Sequence, residues 1–229
     1  MKQIEDMKQH GIAGLVTAAR EGVHTLPQEI IDDYAALEAI EAEHTDRHGR
    51  ISDPQAVQAA DRLAERLGRA KAWGNANALL VGHVQPALTA FLADLAADLK
   101  TAGRHAVQPG ATIDMLTEPD DVRAAIVRLH SAITVYGRLR ASWEILRRGT
   151  QTTDPLGLNS PLAEIGNLPD LVPDWQPAYY GRAPWPWQST VFHVRMGWLL
   201  ANGAHIWLPT PAEQEAAWRK HNPAAKVAA

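Results

Sequence analysis

Glu41, His44 and His48, with Asp46 beside them, are the residues of this chain whose types and spacing come nearest to metal chemistry. On one helix, positions 41, 44 and 48 share a face, so a carboxylate and two imidazoles would converge on one ion. A Glu-x-x-His step is also the repeated unit of helical di-iron proteins. The surrounding stretch from Glu41 to Arg50 is polar throughout, however, and a solvated helix end accounts for it. No metal or other cofactor is therefore expected.

The remaining chemistry-bearing types are scattered. His193 and His205 flank Arg195 and Trp198 and would serve acid–base chemistry if a carboxylate joined them; the sequence specifies none. Ser142, Ser160 and Ser189 lie outside any Gly-x-Ser-x-Gly elbow, and no glycine-rich phosphate cradle is present. Arg138, Arg140, Arg147 and Arg148 would grip phosphates or an acidic partner. At a helix C-terminus they are expected instead to complement the dipole in solvent. Arg140 is the exception, because it falls within an apolar stripe and should snorkel or pair. An enzyme, in the form of a metal-dependent helical protein, is thus the weakest of three readings.

The sharpest compositional signal is aromatic. Six of the eight tryptophans lie between Trp175 and Trp218. The segment Asp174–Trp187 interleaves Trp175, Tyr179, Tyr180, Trp185 and Trp187 with prolines. Tryptophan and tyrosine combine large contact area with few rotatable bonds, and proline reduces the entropy lost on docking. These five residues are the expected partner-binding set. The leading reading is a non-catalytic structural or assembly protein, such as a phage-like head or tail component, docking to neighbouring subunits through this arm. The alternative is a small cytosolic adaptor or regulator that binds one partner through its helical face.

The bulk numbers fit a water-soluble chain. It has 229 residues, a net charge of −4 and no cysteine, which excludes thiolate metal sites and disulfides. The mild charge makes nucleic acid an unlikely partner. The N-terminus lacks the apolar stretch of a secretory signal. The longest apolar run, Ala76–Val84, is interrupted by Asn77, Gly82 and His83, so no membrane span is expected. A cytoplasmic location, or a virion, follows.

The elements that must position these residues read as mainly α. Residues 1–149 are expected to form a bundle of four to five helices, and residues 150–229 a Pro/Trp-rich extension with one or two short helices. Helices are predicted over Lys2–Arg20, from a Thr25 cap to His48, and from a Ser52 or Asp53 cap and Pro54 to about Gly103, with a break near Gly74–Asn75 and a kink at Pro86. Another runs from Pro119 to Gly149. Val122, Ile126, Leu129, Ile133, Tyr136, Arg140 and Trp143 are its expected seam, facing Leu88, Phe91 and Leu95 in an antiparallel pair. Beyond them, Ser189 is expected to cap a helix ending at Asn202-Gly203, with a β-hairpin over 191–208 as the rival. Thr210-Pro211-Ala212-Glu213 reads as a capping box.

Overall fold

The computed structural model describes residues 11–47, 50–70, 73–103, 105, 117–148, 161–173 and 191–221. These residues are mainly α-helical and include no strand, only the isolated antiparallel bridges Thr45–Ile51 and Ile165–Ile206. The helices are α1 (Ile12–Arg20), α2 (Gln28–His44), α3 (Pro54–Ala70), α4 (Trp73–Leu79), α5 (Gln85–Ala102), α6 (Asp120–Arg148), α7 (Leu168–Leu171), α8 (Phe192–Ala201) and α9 (Pro211–His221). The chain divides into two compact units: 1–87 with 138–152, and 88–137 with 153–229. The second unit therefore joins the middle of the chain to its C-terminal third.

In the first unit, α1 begins later than its apolar pattern suggests. Gly11 adopts a left-handed φ of 82°, which no uninterrupted helix from Lys2 could pass through. A Cβ at Gly11 would lie 2.8 Å from Ile145 Cγ1, so the absent side chain also admits the end of α6. At the other end, Gly22 (φ 76°) closes α1: its N–H bonds Ala19 O at 3.0 Å and Val23 N–H bonds Ala18 O at 2.9 Å. This is the paired 5→2 and 6→1 arrangement of a glycine-terminated helix.

Thr25 does not cap α2. Pro27 occupies the cap position without a side-chain bond, and Thr25 Oγ1 meets His83 Nδ1 instead. Asp53 does cap α3, accepting from Gln55 N–H at 2.9 Å. Gly74 and Asn75, where a break was expected, lie within α4, and Asn75 Nδ2 donates to Arg69 O near the end of α3 at 2.9 Å. Leu15, Leu67, Leu80, Leu139, Trp143 and Leu146 form the heart of this unit's core.

Between α4 and α5 the helix widens into a π turn, Leu80–Val84, closed by Gln85 N–H on Leu80 O. Pro86 supplies the reason. It has no N–H to give Gly82 O, and its ring crowds that carbonyl, so the chain relieves the conflict with an i→i−5 turn. The helical run Asn75–Ala102 is long and apolar enough to cross a membrane by length and composition alone. Its most apolar 18-residue window has a mean hydropathy of 1.4, and 28% of it is buried. Averaging over Asn77, Gly82 and His83 thus reveals an apolarity that the interrupted run conceals.

In the second unit, the buried face of α6 is Ala125, Ile126, Leu129, Ala132 and Tyr136. Ile133, expected in the seam, is 54% exposed. Ala132 takes the core-facing position, and the next residue is rotated by about 100° toward solvent. The C-terminal region is as much core as surface here: Leu162, Ile165, Leu168, Met196, Leu199 and Leu208 are all buried.

The helix reading of 192–201 holds and the hairpin does not form. Ile206 pairs with Ile165 instead. Val191, in extended geometry and without a side-chain bond, stands at the cap of α8; Ser189 lies outside the described residues. Asn202-Gly203 ends the helix as expected, Ala204 N–H bonding Leu199 O at 2.9 Å. The capping box is complete: Thr210 N–H donates to Glu213 Oε2 at 2.7 Å and Glu213 N–H to Thr210 Oγ1 at 3.3 Å.

Leu129→Ala, at a position 2% exposed, should cost about 2–5 kcal/mol in denaturant-induced unfolding. Ile133→Ala, four residues on, should stay within about 0.5 kcal/mol of the parent. Equal costs at the two positions would show that the buried stripe has been assigned to the wrong face.

Candidate functional site

Two polar clusters and one cleft are the places where the described side chains could do more than pack. The first cluster lies in the first unit, where the turn after α1 meets the end of α6. His24 Nδ1 lies 2.8 Å from Thr25 O, and its Nε2 lies 3.0 Å from Ser142 Oγ. A carbonyl can only accept, so Nδ1 carries the proton and Nε2 accepts from the Ser142 hydroxyl. A hydroxyl hydrogen-bonded to a neutral imidazole is the starting geometry of nucleophile activation. Here, however, Ser142 is 1% and His24 4% exposed. With both groups sealed in the core, the pair ties the 22–27 turn to α6. Burial, reinforced by the nearby His83, holds the His24 pKa below the ordinary histidine value, against the opposing pull of the Thr25 carbonyl.

The second cluster lies in the second unit, around Glu164. Its Oε1 accepts from Tyr136 Oη at 2.8 Å and from Arg195 Nη2 at 2.7 Å. The side chains of Arg195 and Glu164 are 28% and 20% exposed, so the ion pair is partly shielded and charge-assisted. Tyr136 is also flanked by Phe91 at 6.0 Å and Phe192 at 5.3 Å between ring centroids. One turn away, His130 meets His193 edge-on at 5.4 Å. Burial, with a contribution from His130, lowers the His193 pKa.

The cleft, of about 350 Å³, opens in the first unit between α2, the end of α3 and the start of α4. Glu29, Ile30, Asp33, Arg66, Arg69 and Asn75 line it. Arg66 already pairs with Asp33 and Arg69 with Glu65, so its charges are mutually compensated.

Several sequence-designated residues take other places. His44 lies within 4 Å of single oxygens of Glu43 and Asp53; His48 lies outside the described residues. Glu21 to His24 is a second Glu-x-x-His step where none was expected, and it is split between two tasks, Glu21 pairing with Arg138 and His24 with Ser142. Among the described residues, no group of three His, Asp or Glu is arranged to hold a metal ion.

His205 lies against Trp207 with ring planes tilted by 47° and centroids 5.1 Å apart, and Trp207 Nε1 donates to Leu162 O at 2.9 Å. Arg140 lies 4.4 Å above the Trp143 ring, as its position in an apolar stripe demands. Arg147, expected in solvent, is 2% exposed and sits 5.6 Å from the centre of the same ring; its aliphatic stem and flat cation suit a buried aromatic wall. Trp175, Tyr179, Tyr180, Trp185 and Trp187, together with Ser160, lie outside the described residues.

The Glu164 hub and the His24–Ser142 pair were not identified from sequence. Their members stand 28, 31 and 118 residues apart, and no local pattern links them.

The two depressed histidines give a pH dependence of defined sign. The unfolded chain binds protons near the ordinary histidine pKa of about 6.5, while the folded chain resists them, so the stabilisation is complete above that value and is lost as pH falls below it. Unfolding free energy should thus decline between about pH 6.5 and 5, and His24→Gln should flatten the decline. A variant with an unchanged slope would show that His24 titrates normally. No family model matches this chain, and no curated protein or solved structure does either.

Proposed function

We propose that this chain is a non-catalytic structural protein whose task is to assemble with neighbouring protein subunits. The observation that carries this reading is apolar surface left open on helices. Val127 is 61% and Ile133 54% exposed on α6, about 120° apart around the helix. Large apolar side chains held open to solvent on a helix are available for association. The proline-spaced set Trp175, Tyr179, Tyr180, Trp185 and Trp187 adds the residue types that most often anchor such contacts. In this reading a body of four to five bundled helices carries a Pro/Trp-rich extension that docks to the next subunit. The product is an oligomer or a larger particle, of which a phage-like head or tail is one kind, formed in the cytoplasm or carried in a virion.

A second reading is favoured by Val127 and Ile133 alone: an adaptor that binds one partner through the outer face of α6. The two differ in where the binding energy resides.

Deleting the whole C-terminal region would not separate them, because Met196, Leu199 and Leu208 belong to the core of the second unit. Point variants do. The parent chain should run as an oligomer in light scattering coupled to size exclusion. Alanine at two or three of the five aromatic positions should each weaken association by at least about 2 kcal/mol, with helicity by circular dichroism unchanged. Val127→Glu dissociating the oligomer while the aromatic variants do not would move the function to the α6 face. A parent chain that stays monomeric at high concentration would sink the assembly reading.

A further inference from the structure

The contact between His130 and His193 joins two helices of the second unit at the place where α8 begins. His193 is the second residue of α8, and the first hydrogen bond of that helix, Arg195 N–H to Val191 O at 3.1 Å, spans it. His130 is fixed on α6, its Nδ1 lying 2.8 Å from Ile126 O. That carbonyl can only accept, so Nδ1 carries a proton already and Nε2 is the nitrogen that gains one in acid. His130 is exposed and His193 half-buried, and at 5.4 Å between ring centroids two imidazolium charges would repel through a partly screened medium.

The charges on the surrounding elements offer little relief. On the segment before α7, Glu164 is engaged by Arg195 of α8 and by Tyr136 of α6. On α5, Asp98 holds Arg128 of α6 through both oxygens, and Asp94 acts on the same arginine. Glu164 is therefore matched by Arg195, while Asp98 and Asp94 share the one cation of Arg128. The N-terminal end of α8 is moreover the positive end of its dipole, the least favourable place on a helix for a second cation. The half-buried position of His193 acts in the same direction, since its lowered pKa reflects burial first and His130 second.

We propose that the His130–His193 pair is an acid-operated latch on the first turn of α8. Above neutral pH the two neutral rings pack edge to face and hold that turn against α6. As pH falls, protonation of both rings drives them apart and the first turn loosens. Further along α8, Arg195–Glu164 and the close approach of Leu99 to Gly197 keep the remainder in place. This device is independent of the assembly reading, since it concerns one helix end within a single chain.

Amide hydrogen exchange on the full-length protein, corrected for the intrinsic pH effect, provides the test. Protection at Arg195 and Met196 should fall roughly tenfold between pH 7.5 and 5.0, as expected for two unit charges about 5 Å apart at a half-screened site. Leu199 and Leu129 should stay protected. His130→Gln should remove most of the fall, because the partner charge is gone, and His193→Gln should do the same. His24→Gln serves as the control for general acid destabilisation and should leave the fall intact. Protection at Arg195 that does not change with pH would overturn the proposal. So would a fall that persists in both the His130 and His193 variants, or one that disappears in the His24 variant.

Discussion

The core-facing stripe of α6 is the constraint on which the rest of the described structure depends. Ile126, Leu129, Ala132 and Tyr136 supply the second unit, and Leu139, Trp143 and Leu146 the first. Burial of such a stripe is worth roughly 25 cal/mol for each Å² of apolar surface removed from water, far more than the intrinsic helix preference of any single residue. The glycines follow from it. Gly11 and Gly14 lie where a Cβ would meet Ile145 of α6 at 2.8 and 3.1 Å, so α1 approaches the helix closely only because those positions are bare.

Polar groups brought into these cores are held by one another. Trp143, wholly buried, has Arg140 and Arg147 near its ring at 4.4 and 5.6 Å. The ring's π face partly replaces the water that guanidinium groups lose on burial. Glu164 solves the opposite problem: a carboxylate at 20% exposure accepts from a tyrosine and an arginine together. Removing one member of such a set would leave the others desolvated and unsatisfied, which costs more than the set contributes when intact. Tight coupling of this sort fixes which faces of α6 and α8 meet in the second unit.

How much of this was legible depended on distance along the chain. Asp53, the Thr210–Glu213 box and Asn202-Gly203 could be read directly, because capping is decided within four residues. Thr25 could not: its hydroxyl had a competing partner in His83, 58 residues away. The seam of α6 was legible in its period and wrong in one member. Alanine faces the core at 132, and a strict alternation of four and three drifts against 3.6 residues per turn. The pairs His24–Ser142 and Glu164–Arg195 lie beyond the reach of any local pattern. The aromatic set at 175–187 was the most conspicuous signal in the sequence, and it falls outside the described residues.

The exposed positions of α5 and α6 differ by residue type. On α5 leucine supplies most of the hydropathy, and the alanines at 90, 93, 96 and 97 are all exposed. Alanine is the best helix former and exposes little area, so these positions need no partner to explain them. Val127 and Ile133 are different. β-Branched side chains lose χ1 freedom in a helix and are poorer formers there, a cost normally offset by burial. At 61% and 54% exposure, neither recovers that cost within its own chain. Both lie on the second unit's stretch of α6, so an association surface there would restore what the folded chain alone leaves unbalanced.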